Sequence, residues 1–255
     1  MGCCRTPTCG LSNKLRGAIS LRTSNADDCR RIIVAQVVVA YFWTIKRNQI
    51  PFALFSMARD RGRLRRSAGV NFAKMLGTGT GENFTPSDAD LSRWGAIMAI
   101  DESALESIDS LAVLRSWNKR ALTEVRLVLD PIAVHGLWSG KNPFDWSVTP
   151  AADSQIVAIT RARIKWLQNF RFWKAVPPVS ADLHQSPGLI AAIGIGEAPI
   201  GLQGTFSLWE NGKALRDFAY KGQAHQRAIE ATAQYNWYAE ELFSRFALRH
   251  VRGQL

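Results

Sequence analysis

The chain has 255 residues, 47% of them hydrophobic, which is enough to bury a core as one domain or as two small ones. Its net charge of +11 would suit a nucleic-acid partner only if the charge were spread over the fold. The whole basic excess instead lies before residue 76, in an N-terminal arm and one arginine-rich helix without interleaved aromatic residues, which argues against nucleic acid.

The arginine-rich helix contains Arg59, Arg61, Arg63, Arg65 and Arg66. Such a run is usually a solvated face, and its functional alternatives are an anionic membrane surface or an acidic protein partner such as a ferredoxin. The composition alone does not choose among these three.

All four cysteines, Cys3, Cys4, Cys9 and Cys29, lie in residues 1–31, which we expect to form a basic, disordered arm. A fold without cysteine suits a reducing compartment and has no disulfide. It also lacks a thiolate for a cysteine-ligated haem, so that histidine would be the expected ligand of any haem. The apolar run 32–43 is too short to span a bilayer and predicts a first strand that is buried on both faces.

The following segments predict a ferredoxin-like unit in the order βαββαβ. Periodicity predicts a helix over 49–66, strands over 70–77 and 94–100, a helix through Leu105, Ile108, Leu111, Ala112 and Arg115, and a strand over 124–129.

The second part of the chain repeats this order, with strands predicted over 155–160, 189–194, 205–209 and 242–248 and helices over 164–173 and after Gly212. The turn Gly79-Thr80-Gly81-Glu82 matches Gly194-Ile195-Gly196-Glu197, and Asp101 matches Glu210. Two such units predict an α+β fold in which tandem repeats form, within one chain, a barrel like that of dimeric α+β homologues. The expected boundaries are 32–135 for the first half, 136–153 for the linker and 154–250 for the second half.

The two GxGE turns resemble phosphate-binding loops, but each leads to a strand rather than to a helix. We therefore expect tight turns in which Glu82 and Glu197 accept hydrogen bonds from backbone amides.

The last long helix carries the most informative side chain. Its apolar residues share one face with a single imidazole: Leu215, Phe218, Ala219, Gly222, His225, Ile229 and Thr232. His225 is either a core histidine with satisfied nitrogens or a ligand of a metal or haem, and Gly222 would let a flat group approach the helix. Of the other histidines, His135 is expected in the linker, His184 in a loop and His250 in the tail.

Several separated motifs resemble the spheroidene monooxygenase family of carotenoid ketolases. They are KMLGTGTGENFTP, GLWSGKNPF, ITRARIKWLQNFRFWKAVPPV, GIGEAP, QGTFSLW and WYAEELFSRF, in the family's order. The resemblance implies a haem enzyme with b-type haem that uses dioxygen and electrons from reduced ferredoxin. Its expected substrate is an acyclic carotenoid, which is hydroxylated at C2 and, in a second round, converted to the ketone.

The resemblance also implies roles for individual residues. His225 is the expected proximal haem ligand, and fold analogy with haem-binding relatives of the barrel agrees. Arg161 and Arg245 are expected to hold a haem propionate or bound oxygen, although an ion pair with Glu240 or Glu241 is an equal alternative. The remaining candidates are Gly222, Phe218 and Trp209 for the cofactor and Phe170, Phe172, Trp173 and Phe206 for the substrate.

We expect a cytoplasmic protein with a peripheral contact at the inner membrane. Two alternatives to the carotenoid oxygenase stay open at this point. One is a monooxygenase-like barrel that lacks haem or acts on another substrate, and the other is a non-enzymatic basic adaptor.

Overall fold

The computed structural model describes residues 35–82, 85–145, 148–165, 169–198, 204–221 and 238–255, with the backbone alone at 86, 169–176 and 221. These residues belong to one compact unit, Val34–Leu255. The predicted N-terminal arm, Gly222 and His225 lie outside the described residues.

The described elements alternate as predicted, with the order βαββαβ occurring twice. The strands are β1 Gln36–Ile45, β2 Val70–Gly79, β3 Ala89–Asp101, β4 Ala121–Gly136, β5 Ile156–Ile164, β6 Leu189–Gly196, β7 Gly204–Trp209 and β8 Tyr238–Arg252. The helices are α1 Ile50–Leu64, α2 Ala112–Asn118, α3 Asn169–His184 and α4 Gly212–Lys221. The first half is β1–β4 with α1 and α2, and the second half is β5–β8 with α3 and α4.

The eight strands close into one antiparallel barrel in the order β1-β3-β2-β6-β7-β5-β8-β4. Each half contributes a four-stranded sheet of ferredoxin-like order, and the two sheets join where β2 pairs with β6 and β4 with β8. The predicted α+β fold with tandem ferredoxin-like repeats in one chain is therefore confirmed.

Successive side chains of a strand point to opposite faces of the sheet, which gives the protein one core layer in the barrel lumen and another between sheet and helices. In β1, Val38, Ala40 and Phe42 face the barrel lumen, whereas Tyr41 and Trp43 face the helices. The strand is thus buried on both faces, as predicted, and its described range is Gln36–Ile45.

Two predicted helices differ from the structure. The helix through Leu105 is replaced by single 3-10 turns and the short α2, because Leu111 adopts an extended ψ of 131° that ends helical geometry. Ile164 lies in β5, where it pairs with Tyr238, so it is not part of the predicted helix, whose described range is α3 Asn169–His184. Continued strand pairing overrides the helical periodicity of this segment.

The predicted positions of three histidines were wrong. His135 lies in β4, His184 is the last residue of α3 and His250 lies in β8. The edges of β4 and β8 pair with one another, which extends both strands beyond the apolar segments that predicted them.

The duplication extends to individual hydrogen bonds. The Asp101 amide donates to the Gly69 carbonyl at 2.8 Å, and the Glu210 amide donates to Gly188 at 2.9 Å. Both glycines have positive φ, +72° and +79°, a region that disfavours side chains. The predicted match of Asp101 with Glu210 thus corresponds to the same turn in each half.

Candidate functional site

The strand registers align the helix-facing residues of the two halves. Val39 pairs with Met98 between β1 and β3, and Ala158 pairs with Ser207 at the equivalent place between β5 and β7. On this alignment five residues of the first half correspond to smaller ones in the second. Val39, Tyr41, Trp43, Met75 and Met98 correspond to Ala158, Thr160, Ala162, Gly194 and Ser207. We call these five residues of the second half the open face.

The equivalent face of the first half is filled by its own side chains. Trp43 stacks on Trp117 of α2 with ring centroids 5.2 Å apart, and on Tyr41 at 5.4 Å. The Trp117 indole donates to the Asp60 carboxylate of α1 at 3.2 Å, and both side chains are fully buried. This layer has the interlocked packing of an ordinary protein core.

Solvent reaches the second half at positions that the first half buries completely. Ala73 and Ala96 have no exposed surface, whereas their equivalents Ala192 and Thr205 are half-buried. Thr160 is likewise half-buried where Tyr41 is fully enclosed. Among the described residues, the side chains of this sheet therefore cover less of their own face than those of the first half.

One aromatic pair borders the open face. Trp209 of β7 stacks on Phe218 of α4 with centroids 5.3 Å apart, and its indole donates to the Ser207 hydroxyl at 2.9 Å. Leu215 packs in the same cluster, so Leu215 and Phe218 share a sheet-facing side of the helix as predicted. The sequence proposed Trp209 and Phe218 for cofactor binding, and the structure brings them together.

Arg245 lies on the same side of the sheet. It is exposed on β8 and stands directly beside Ala158 in the strand register. Its guanidinium forms no ion pair within the described part of the chain. A cation beside a face of small residues is suitably placed to meet an anionic group of a ligand.

The structure separates the other candidates. Phe206 faces the lumen, where it meets Phe42 edge-on with centroids 5.0 Å apart, so that it cannot share a groove with Trp209. Arg161 also faces the lumen, on the opposite side of the sheet from Arg245. Grouping these residues into one site was wrong, because positions an odd number of residues apart on a strand face opposite ways.

The remaining substrate candidates are on α3. Phe170, Phe172 and Trp173 lie in the first two turns of this helix. Ser180, farther along α3, donates to the Gly81 carbonyl of the first GxGE turn at 2.7 Å and thereby ties this helix to the first half.

A second polar feature lies inside the barrel. Arg161 forms ion pairs with Glu240 and with Glu197, the latter at 2.7 Å, and Glu197 also pairs with Lys74. The ion pair with Glu240 is the alternative that the sequence offered for Arg161. We call Lys74, Arg161, Glu197 and Glu240 the lumen network.

A turn after β4 completes the lumen network. The Trp138 indole donates to Glu197 at 2.8 Å, and the amides of Ser139 and Gly140 donate to Glu240 at 2.9 and 2.6 Å. Glu197 thus accepts hydrogen bonds from side chains, not from the backbone amides that we predicted, because Arg161 and Lys74 lie within hydrogen-bonding distance of its carboxylate. Glu82, in the other GxGE segment, is exposed. The strand registers align Gly194 with Met75 rather than with Gly79, so the predicted match of the two GxGE segments was wrong.

The lumen network joins segments that are far apart in the sequence. Lys74 begins the KMLGTGTGENFTP motif, and Arg161, Glu197 and Glu240 come from ITRARIKW, GIGEAP and WYAEELFSRF. The turn that binds the two glutamates belongs to GLWSGKNPF. Sequence reasoning missed Lys74 and Trp138, although each lies in a motif that carried the family resemblance. The signal that could have revealed both residues is that the motifs carrying the family resemblance meet at one place in the fold.

In the lumen network, burial and the neighbouring cations shift the pKa values of the two glutamates in opposite directions. Burial raises the pKa of Glu197, but hydrogen bonds from Lys74 and Trp138 and the charge of Arg161 outweigh it, leaving the pKa below its usual value. Burial likewise raises the pKa of Glu240, and the amides of Gly140 and Ser139 with Arg161 bring it below its usual value. Both carboxylates are therefore ionised at neutral pH.

A polar cleft of about 710 Å³ opens between the end of α3 and the start of α4. Its lining includes Asp182, Glu210 and Asp217 beside Phe218. Carboxylates make it chemically unsuited to an apolar ligand. Within the described ranges, no three His, Cys, Asp or Glu side chains are grouped as for a metal ion, and no helix is long and apolar enough to cross a membrane.

Comparison with known proteins identifies the family. The chain is 35% identical over 211 residues to a spheroidene monooxygenase of Rhodobacter capsulatus, a match that covers 81% of this chain and 87% of that protein. The chain belongs to the spheroidene monooxygenase family. A second member, from Rubrivivax gelatinosus, is 33% identical over 186 residues, covering 72% of this chain and 71% of that one.

A third spheroidene monooxygenase, from Cereibacter sphaeroides, is 35% identical over 189 residues, covering 72% of this chain and 58% of that protein. The family resemblance stated from the motifs and the prediction of an enzyme are confirmed, and the non-enzymatic adaptor is excluded. No family model matches the chain.

Solved structures support the fold. A crystal structure of aldoxime dehydratase matches with a TM-score of 0.56 and 12% identity, covering 84% of this chain and 82% of that one. A second aldoxime dehydratase structure, in complex with butyraldoxime, gives a TM-score of 0.54 and 11% identity, covering 84% and 80%. At such low identity the likeness extends to architecture alone.

Proposed function

We propose that the chain is a haem-dependent monooxygenase that hydroxylates and then ketolates C2 of an acyclic carotenoid of the spheroidene type. Dioxygen and reduced ferredoxin are the proposed co-substrates. The observation that carries the proposal is the open face, whose five residues are smaller than their counterparts in the first half, in a chain of the spheroidene monooxygenase family.

The open face suits a flat apolar group such as b-type haem. Gly194 has no side chain, Ala158 and Ala162 have only methyl groups, and the Trp209 and Phe218 rings border the face. We propose His225 as the iron ligand, with Gly222 allowing close approach of the macrocycle to the helix. Arg245, beside Ala158, is the proposed partner of a haem propionate.

The haem, when bound, would supply the activation of dioxygen. In each round one oxygen atom enters the C2–H bond, and the other leaves as water with two electrons from ferredoxin and two protons. A second hydroxylation at the same carbon gives a geminal diol, which loses water to form the ketone.

The chain's own residues have to exclude water and hold the polyene. We propose that Phe170, Phe172 and Trp173 of α3 contact the polyene, because an apolar chain of this length needs aromatic and aliphatic walls. Phe206 is excluded from that role by its place in the lumen. Arg161 we assign to the lumen network, where both of its terminal nitrogens bind carboxylates.

The proposed location is the cytoplasm, at the surface of the membrane. Cytoplasmic ferredoxin supplies electrons, and a polyene dissolves in lipid rather than in water. The enzyme must therefore take its substrate from a bilayer.

Expression in cells that make an acyclic carotenoid tests the proposal, with pigment analysis by mass spectrometry and absorbance of the purified protein. The account predicts a hydroxylated and a ketolated pigment together with a haem band. The matched variant is Gly194→Met, which introduces the residue of the equivalent position Met75 and should abolish both products. Unchanged pigment in cells that contain haem-loaded enzyme would overturn the substrate, and product from a colourless protein would overturn the cofactor.

A further inference from the structure

Helix α1 turns its basic residues outward and its one acid inward. Arg59, Arg61 and Arg63 are exposed, and Arg65 and Arg66 follow directly after the helix with the same exposure. Asp60 has no exposed surface and accepts hydrogen bonds from Arg59 at 2.7 Å and from the Trp117 indole at 3.2 Å. The outer surface of α1 and of the two residues after it therefore carries five guanidinium groups, of which Arg59 and Arg63 pair with the buried Asp60, and no exposed carboxylate.

Apolar side chains lie on the same outer surface, one to three turns earlier. Phe55 is 65% exposed and Leu54 40% exposed. Residues spaced by four and seven share a side of a helix, which places Leu54 in line with Arg61 and Arg65. The Arg59 guanidinium carbon lies 5.3 Å from the centre of the Phe55 ring, so cation and aromatic ring form one continuous patch.

We propose that this patch, formed by Leu54, Phe55 and the five arginines, docks the protein on the surface of an anionic lipid bilayer. Arginines facing lipid phosphates and an aromatic side chain entering the boundary with the acyl chains are the two contacts that hold interfacial helices.

Two features favour lipid over an acidic protein as the occupant. A cationic surface alone would serve either partner, but a protruding phenylalanine gains free energy chiefly where it meets hydrocarbon. The second feature rests on the proposed function, because an enzyme acting on a polyene must approach the membrane in which the polyene is dissolved.

Sedimentation of the full-length protein with vesicles tests the docking surface. One set of vesicles is phosphatidylcholine alone and the other contains added phosphatidylglycerol. The wild type should bind the anionic vesicles and release them as salt is raised. Arg61→Glu with Arg65→Glu, and separately Leu54→Ser with Phe55→Ser, should each weaken binding by about tenfold or more, as expected for losing buried apolar area or ionic attraction.

Matched controls use the second half. Ile190→Ser removes a 45% exposed apolar side chain from β6, and Arg163→Glu with Arg216→Glu reverses two exposed arginines. Both controls should bind as the wild type does. Thermal unfolding of each variant, followed by circular dichroism, separates loss of docking from loss of folding.

Three results would overturn the proposal. These are failure of the wild type to bind anionic vesicles, binding that survives both patch variants, and arginine-dependent binding of an acidic ferredoxin without any binding of vesicles. The haem band and carotenoid oxidation in detergent do not depend on docking, so failure of this proposal is distinguishable from failure of the proposed function.

Discussion

The two halves of the barrel share a topology but use their helix layers differently. The first half packs Tyr41, Trp43 and Trp117 between sheet and helices, with every ring buried. The second half has threonine and alanine where the first has Tyr41 and Trp43, and its described cluster contains few buried side chains. One copy of the unit thus provides a dense core, while in the other the described side chains cover less of their sheet face.

This contrast shows how a duplicated unit can separate stability from function. An enclosed site needs a face that its own side chains do not fill, and such a face weakens the local core. Closing both sheets into one barrel lets the packed half and the shared lumen stabilise the half with the open face.

Truncation in the packed half should have the largest effect. Trp117→Ala removes a fully buried indole that contacts Trp43, Phe52 and Trp94, and it leaves Asp60 with one donor fewer. We expect the free energy of unfolding to fall by about 3–5 kcal/mol, measured by denaturant titration. A loss below about 1 kcal/mol would show that this layer is not the tight core described.

A matched pair of enlargements compares the two faces directly. Ala73 and Ala192 occupy equivalent positions, opposite Met98 and Ser207. Ala73→Leu should cost about 1–3 kcal/mol through overpacking, whereas Ala192→Leu should leave the unfolding free energy of the haem-free protein within about 0.5 kcal/mol.

For haem binding, we expect the order of the effects of Ala73→Leu and Ala192→Leu to be reversed. Only Ala192→Leu is expected to reduce haem uptake, followed by absorbance on reconstitution. Equal destabilisation by the two leucines would contradict the account, since it would mean that helix side chains already fill the second face.

The smallest expected effect is a difference in acid sensitivity between the two GxGE turns. Glu197 has a lowered pKa in the fold, so its contribution to stability is complete above the unfolded value of about 4.3 and disappears as pH falls through the folded value. Glu197→Gln should therefore lower stability at pH 7 and flatten its decline in acid, followed by denaturant midpoints from pH 7 to 3.

Glu82→Gln is the control for that titration. Glu82 is an exposed glutamate of the other GxGE segment, and its replacement should leave the pH profile as in the wild type. If the wild type, Glu197→Gln and Glu82→Gln had the same dependence of stability on pH, Glu197 would not be one of the groups that govern acid stability.

The sequence predicted the order of elements because the strands have continuous apolar or alternating patterns and several of the turns contain a glycine. The repeat was visible because Asp101 and Glu210 end equivalent strands, and the shared hydrogen bonds at Gly69 and Gly188 explain why. Helix ends were predicted less well. Leu111 interrupts one helix through a backbone angle that periodicity does not reveal.

The candidate site was predicted only in part. Period-two alternation already places Phe206 and Trp209 on opposite faces of β7, so their grouping could have been avoided. The ion pair of Lys74 with Glu197 spans 123 residues and depends on barrel closure, which no local pattern encodes. The open face became visible only when the strand registers aligned the two halves.

The central claim is that the second half holds a haem through His225, and the absorption spectrum of purified His225→Ala tests it most directly. The matched control is His250→Ala, which removes an exposed histidine from β8. The account predicts an intense Soret band in the wild type and the control and its loss in His225→Ala. A Soret band of full intensity and unchanged position in His225→Ala would contradict the account.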